Sequence, residues 1–278
     1  MACVHYGVAE TTQDCDLLCH TASFETLLDL LNETKVAAQA CHYRGNISPP
    51  LDARWHQGGW TSHFQWKSSS EVRTLDVFGH ALRESSPWPQ DVFGLYAGAH
   101  TVAQMKRTNR EKDWPFITAL GLRMLEAEDD RGWLHIFEAR TLIELLARRA
   151  CPPPIVARRP AIRLAIDKDR RTTGALNAEQ KLWEEMDRVR IRILEQHLRP
   201  YVAALRKARG SKDLSLLDDH ALRIECGTTH LPSNPLGDYG IARIIEESKS
   251  ALIGDGLVPE RALDWLPDVM EYFSWLDP

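Results

Sequence analysis

Apolar and polar positions alternate in several short segments of the first 80 residues, and this period is typical of β-strands. The predicted strands span residues 12–19, 36–43, 60–66 and 72–78. Three consecutive serines at 68–70 predict a hairpin turn between the last two strands. Between the first two strands, apolar residues recur at helical spacing and predict a helix over 23–32: Phe24, Leu27, Leu28 and Leu31.

The pattern becomes helical after Pro87-Trp88-Pro89, and it predicts helices over 101–107, 114–127 and 137–149. Cys151-Pro152-Pro153-Pro154 predicts a stiff linker, because consecutive prolines do not continue a helix. The sequence therefore predicts an α/β (α+β) domain with a short mixed sheet over residues 1–150, followed by an all-helical domain over 151–278.

The longest predicted helix lies in the second domain, where Asn177 and Gln180 indicate a capping box. Its apolar stripe comprises Leu182, Met186, Val189, Ile193 and, after a kink at Pro200, Leu205. Breaks are predicted at residues 232–235 and 254–259, which are rich in proline and glycine.

The composition is that of an ordinary globular protein, with 44% hydrophobic and 26% charged residues in a chain of 278. Six cysteines without regular spacing favour a reducing compartment. The sequence has no run of 18 apolar residues, and its first 16 residues lack the pattern of a signal peptide. We therefore expect a soluble, cytoplasmic protein with no membrane partner.

Charge is unevenly distributed, with a net of −4 over residues 1–150, +7 over 151–210 and −8 over 211–278. In the basic segment, a row of arginines recurs at helical spacing: Arg188, Arg192, Arg199, Arg206 and Arg209. This row fits two interpretations. It either contacts the phosphates of an RNA or pairs with the acidic tail, in which Glu246, Glu247, Asp264 and Asp268 are available.

The most informative chemistry is a pair of carboxylates, Asp14 and Asp16, two residues apart in the first predicted strand. Alternate residues of a strand face the same side, so both would point one way while Cys15 and Leu17 face the core. A third carboxylate, Asp76, interrupts the apolar run of the 72–78 strand. If the two strands are adjacent, the three carboxylates converge and suit a site for Mg²⁺ or Mn²⁺.

These residues resemble a known family, the polymerase-beta-type nucleotidyltransferases, and in particular its small bacterial members of the abortive-infection toxin type. Gly7, Thr12, Asp14 and Asp16 match the family's pattern in register, and Asp76 matches its later strand carboxylate. The basic segment 106–113, which ends in Lys112-Asp113, resembles the family segment that opens a later helix and helps close the nucleotide site. The resemblance covers roughly residues 1–125.

The resemblance implies a nucleotidyltransferase-like fold and Mg²⁺- or Mn²⁺-dependent transfer of a nucleoside monophosphate from an NTP to an acceptor hydroxyl. Asp14 and Asp16 would bridge two metal ions, and Asp76 would hold the metal near the acceptor oxygen. The nucleotide would be bound by Thr12, Lys106, Arg110, Lys112 and Asp113, with Arg107 as a further cation and Asp113 also capping the next helix. The acceptor is left open as an RNA 3′ end, a protein hydroxyl or a small molecule.

Two alternatives belong to other functional classes. The family's arginine is replaced here by Glu10, and its phosphate-binding glycine pair would stand about ten residues before Gly7, ahead of Met1. A catalytically silent nucleotidyltransferase-like protein that binds nucleotide or RNA is therefore the second hypothesis. An RNA-binding module over residues 158–209 is the third.

Overall fold

The computed structural model describes residues 1–12, 14–33, 40–68, 71–83 and 92–273, and it shows a mixed α/β protein. The strands are β1 (Asp14–Leu18), β2 (His42–Tyr43), β3 (Thr61–Ser68), β4 (Glu71–Phe78), β5 (Val92–Phe93) and β6 (Tyr96–Ala97). The helices are α1 (Ala2–His5), α2 (Phe24–Glu33), α3 (Ala53–His56), α4 (Ala99–Met105), α5 (Trp114–Glu126), α6 (Ala139–Leu146), α7 (Pro153–Arg158), α8 (Pro160–Ile166), α9 (Thr172–Arg209), α10 (Leu216–His230), α11 (Pro235–Tyr239) and α12 (Ile241–Gly254). Short 3₁₀ turns lie at Thr21–Ser23, Glu111–Asp113, Asp130–His135, Glu260–Trp265 and Met270–Phe273.

Four of the strands form a mixed sheet in the order β1-β4-β3-β2. The β1–β4 pair is parallel, whereas β4 pairs with β3 and β3 with β2 in antiparallel fashion. Three of the four predicted strands are confirmed to within two residues at each end. The fourth, predicted over 36–43, is confirmed only at His42–Tyr43, because residues 40–41 are not in a strand and residues 36–39 lie outside the described residues, as do Ser69 and Ser70 of the predicted turn. The antiparallel pair β5–β6 lies where the sequence predicts a helical pattern, so that prediction is wrong over 92–97.

One face of this sheet carries the apolar residues of the alternating pattern. Phe64 and Val77 are fully buried, and Leu75 is nearly so. They pack with Phe24 and Leu28 of the predicted α2 helix, and Cys15 and Leu17 join the same cluster as partly buried residues. The opposite face carries Thr74 and Asp76 of β4, His63 and Gln65 of β3, and Asp16 of β1.

The 38-residue helix α9 organises the helical region. Its predicted apolar stripe is confirmed, because Leu182, Met186, Val189, Ile193 and Leu205 are all buried. The helix continues through Pro200, as the stripe predicts. Its start differs from the prediction: it begins at Thr172 rather than at Asn177, because burial of Ala175 and Leu176 draws the preceding turn into the helix.

The three prolines at 152–154 open a helix instead of forming a linker. Helix α7 starts at Pro153, where a missing N–H costs nothing because the first turn has no intrahelical acceptor for it. Apolar residues from both sides of residue 150 share one cluster, in which Trp133 and Leu142 pack with Ala161, Leu164 and Leu176. A second shared cluster joins Ile117 and Leu120 to Leu182 and Ile244.

Helix α5 and the following 3₁₀ turn approach each other through two glycines. A Cβ atom built on Gly132 would lie 2.5 Å from the carbonyl oxygen of Gly121, and one built on Gly121 would lie 2.9 Å from the carbonyl oxygen of Gly132. Any side chain at either position would therefore collide with backbone. The contact brings the turn against the helix directly before the buried pair Trp133 and Leu134.

The tail follows the predicted breaks, since α10 ends at His230, α11 begins at Pro235 and α12 ends at Gly254. The last described turn then returns to the core, where Tyr272 contacts the ring of Trp183 edge-on at 5.1 Å. Of the helices described, none is long and apolar enough to cross a membrane.

Candidate active site

The parallel pairing of β1 with β4 places two of the predicted carboxylate residues side by side. Asp16 is the register partner of Asp76, and neighbouring strands of a sheet lie about 4.8 Å apart. Register partners share a face of the sheet, and here it is the face opposite Leu75 and Val77. Asp16 is exposed and Asp76 is one-quarter exposed, so solvent reaches both.

Asp14 is the first residue of β1 and the register partner of Thr74. It therefore precedes Asp16 by one strand repeat, as the sequence predicts. Its side chain lies outside the described residues, and its part in the site stays a prediction.

Asp76 already has two partners on its other side, and sequence analysis singled out neither. The Nδ1–H of His63, its register partner on β3, donates to Asp76 Oδ1 over 2.7 Å. Arg44 Nη2 lies 3.3 Å from the same oxygen. Arg44 follows β2, and its backbone N–H donates to the carbonyl of His63, which fixes its place at the end of the row.

The sequence carried a signal for His63 that went unused. Ser68 pairs with Glu71 where β3 and β4 adjoin, and counting back along both strands brings His63 opposite Asp76. The signal for Arg44 was weaker, because it depends on the partner of a two-residue strand. Together the four residues form a row across the sheet: Asp16, Asp76, His63 and Arg44.

The predicted nucleotide-binding segment 106–113 forms a compact charged cluster of its own. Asp113 is buried, and its carboxylate lies 3.3 Å from Lys106 Nζ and 2.8 Å from Arg110 Nε. It occupies the N-cap position of α5, yet its side chain makes no capping hydrogen bond there. The predicted capping role is therefore wrong, because the two cations take up the carboxylate instead.

Two other cations of this segment have opposite environments. Lys112 is exposed. Arg107 is buried, donates to the carbonyl of Leu134 over 2.8 Å and lies 4.8 Å from the ring centroid of Trp183. Burial lowers the pKa of its guanidinium. Arg107 is thus a core residue, and the predicted role as a further phosphate ligand is wrong.

An open cleft of about 560 Å³ lies beside the segment that leads into β1. Residues 7–11 line it on one side, and Phe116 of α5 lines it on the other. The ammonium of Lys106 sits 5.5 Å from the Phe116 ring centroid. Thr12, predicted to bind nucleotide, is an exposed residue directly after this lining segment.

Cys3 of α1 lies near charged residues of both predicted site segments. Burial raises the pKa of its thiol, and among the nearby charges Lys106 lowers this pKa while Asp113 and Asp16 raise it. All three charges therefore lie within electrostatic range of one side chain.

The donor set fits a hard divalent cation in its chemistry, since Mg²⁺ prefers carboxylate oxygens and is held through one or two of them together with substrate phosphates. Asp16 and Asp76 offer two such residues at neighbouring register positions. Within the described residues, which leave out the Asp14 side chain, no group of three or more His, Cys, Asp and Glu is placed to hold a metal ion. A complete site would therefore need Asp14 or the substrate.

The basic row on α9 pairs in part with carboxylates of the same chain. Arg192 Nη2 lies 2.5 Å from Glu247 Oε1, a residue of the predicted acidic tail. Arg188 pairs with Glu185 and Arg209 with Asp219. Arg199 and Arg206 are exposed. Arg192 therefore pairs with the acidic tail, as one of the two interpretations predicts. Arg199 and Arg206 are available to a phosphate backbone, and RNA binding stays a prediction.

The observed architecture is a small mixed sheet with a carboxylate row, backed by a helical region. No protein-family model matches the chain, and the searches of curated proteins and of solved structures give no match either.

Proposed function

We propose that the protein is a metal-dependent nucleotidyltransferase that moves a nucleoside monophosphate from an NTP to an acceptor hydroxyl. The observation that supports this most is the register of β1 and β4, which puts Asp16 beside Asp76 on the open face of the sheet. Adjacent carboxylates repel each other unless a cation neutralises them. A strand pair that places two carboxylates side by side therefore suits the binding of a divalent cation together with the phosphates of a nucleotide.

In this proposal Asp14, Asp16 and Asp76 hold Mg²⁺ or Mn²⁺. The metal, when bound, neutralises charge on the phosphates and on the leaving pyrophosphate. Lys106 and Arg110 bind phosphate oxygens, and Asp113 holds both cations in place from its buried position. Thr12 and Lys112 are exposed and complete the nucleotide contacts. The nucleotide itself occupies the cleft beside residues 7–11.

The test is turnover of labelled NTPs in the presence of Mg²⁺ or Mn²⁺, with RNA, protein and small-molecule acceptors offered in turn. Asp16→Asn should lower transfer by several orders of magnitude, because charge stabilisation supplies most of the catalysis in phosphoryl and nucleotidyl transfer. Asp29→Asn is the matched control, since Asp29 is an exposed carboxylate on α2, away from the β1–β4 row. It should transfer at the wild-type rate, and equal loss in both variants would contradict the proposal.

A second candidate function has one observation in its favour. Asp76 Oδ1 is already compensated by His63 and Arg44, which lowers its demand for a metal ion. The protein would then bind nucleotide without transferring it. A nucleotide bound at a hundred times its Kd should still stabilise the fold by about 2.7 kcal/mol. Thermal stabilisation by NTP without transfer to any acceptor would favour this second function, and absence of both effects would exclude the two together.

A further inference from the structure

One carboxylate oxygen in the row contacts two other side chains, one through a hydrogen bond and one through an ion pair. His63 and Arg44 both contact Oδ1 of Asp76, at 2.7 and 3.3 Å. His63 is held opposite Asp76 by the β3–β4 register, and Arg44 is anchored by the hydrogen bond from its backbone to the carbonyl of His63. All three side chains are about one-quarter to one-third exposed, so the contacts lie at the open face rather than in the core.

The geometry points to His63 and Arg44 as positioning residues that control how Asp76 receives a divalent cation, an inference that rests on the proposed function. The two residues are expected to have opposite effects on the affinity of Asp76 for a divalent cation. His63 orients the carboxylate by a hydrogen bond and keeps Oδ1 turned toward β3. Arg44 brings a full positive charge to the same carboxylate, so it competes with a divalent cation for that charge.

The hydrogen bond from His63 should favour the metal-binding geometry. Hydrogen-bond partners of metal-ligating carboxylates are often worth 10- to 100-fold in metal affinity or activity. The effect of Arg44 follows from Coulomb's law, because a guanidinium 3.3 Å from the carboxylate is also within a few ångströms of any cation that the carboxylate holds. Removing Arg44 should therefore tighten the binding of a divalent cation to the nucleotide-free protein.

The nucleotide is also expected to help assemble the metal site. With Arg44 in place, the carboxylate row alone is a weak ligand for a cation. Phosphate oxygens supply the missing negative charge, so the metal is expected to arrive with the NTP rather than before it. Mg²⁺ sites of this kind, built from one or two carboxylates plus substrate phosphates, are the usual arrangement.

The experiment measures Mn²⁺ binding to the full chain at pH 8 by electron paramagnetic resonance of the free ion, without and with a nonhydrolysable NTP analogue. Arg44→Gln should bind Mn²⁺ about tenfold more tightly than wild type when nucleotide is absent. Arg73→Gln is the matched control, since Arg73 is an exposed arginine on β4 paired with Glu71. It removes the same charge from the same sheet and should leave the affinity unchanged.

His63 is tested by a pair of variants. His63→Ala loses the donor to Asp76 and should lower both Mn²⁺ affinity and kcat by 10- to 100-fold, with KM for the NTP little changed. His63→Asn keeps an N–H donor near the position of Nδ1 and should recover most of both. A merely structural role would not give this recovery, nor a gain of affinity in Arg44→Gln.

The outcomes separate this inference from the proposed function. If wild type binds Mn²⁺ with the analogue and transfers nucleotide, but Arg44→Gln behaves like Arg73→Gln, the inference is overturned and the proposed function stands. The inference is also overturned if His63→Asn is no better than His63→Ala while both variants keep the wild-type free energy of unfolding. If neither wild type nor any variant binds Mn²⁺, with or without the analogue, the proposed function itself fails.

Discussion

At the scale of single residues, the buried His56 of α3 has the clearest effect on the free energy of unfolding. His56 has no exposed surface, and its Nε2–H donates over 2.8 Å to Ser62 Oγ, which itself donates to the carbonyl of Pro49. Burial is the main cause that lowers the pKa of His56, from 6.5 to about 3. The folded protein therefore keeps this imidazole neutral.

The sign of the pH dependence follows from this shift. Between pH 6.5 and about 3 the unfolded chain binds a proton at His56 and the folded chain does not, so the stability from the neutral imidazole is complete above pH 6.5 and falls as the pH decreases. The contribution is about 1.4 kcal/mol per pH unit. Urea unfolding of His56→Gln between pH 5 and 6.5 should show a slope smaller by that amount. Thr229→Ser, which changes an exposed residue without removing a titratable group, should leave the slope as it is.

Residue types in the charged segment 106–113 could be predicted to carry chemistry, but their environments could not. Lys106 and Arg107 are adjacent in the sequence, and only the packing of α4 against the core turns the guanidinium toward Trp183 while the ammonium reaches Asp113. The same holds for Asp113, whose position before a helix predicts a cap. In the structure two nearby cations pair with the carboxylate instead: Lys106, seven residues before Asp113, and Arg110, three residues before it.

At the scale of elements, the contact between α5 and the following turn depends on two glycines. Gly132→Ala should destabilise the fold by about 1–3 kcal/mol, since its methyl group would lie 2.5 Å from the carbonyl oxygen of Gly121 and backbone would have to shift. Gly174→Ala is the control, because nothing outside the local helix backbone lies within 4 Å of the added carbon and α9 gains a better helix former. It should be neutral or stabilising by up to about 1 kcal/mol. Urea denaturation measures the free energy of unfolding of both variants. Equal free energies would contradict the close approach of Gly121 and Gly132.

The elements themselves followed the sequence closely where periodicity was strong. The strands around Phe64 and Val77 and the buried stripe of α9 were predicted because one face of each element is apolar over several repeats. Helix starts were predicted less well. Local capping chemistry at Asn177 was overridden by burial of Ala175 and Leu176, and the rigid φ of Pro153 suited a first helical turn as well as a linker.

At the scale of the whole molecule, the core does not divide at residue 150. Trp133 and Leu142 share a cluster with Leu164 and Leu176, so either half expressed alone would expose apolar surface that the other half covers. We expect the full chain to unfold in one transition in urea, followed by far-ultraviolet circular dichroism and tryptophan fluorescence together. Fragments 1–150 and 151–278 should each lack a cooperative transition. Two separate transitions, or a fragment that folds alone, would show independent domains instead.

The position of β1 in the sheet order has a consequence for association between molecules. In the described part of the chain, β1 has a strand partner on one side only, which makes it an edge with backbone groups able to pair with another extended chain. Charged residues at an edge discourage such pairing, and Asp14 and Asp16 place two like charges on this short strand. The residues proposed to hold the metal ion would thus also protect this edge of the sheet from pairing with another chain. A chain that lost them would lose the metal site and the protection of the edge together.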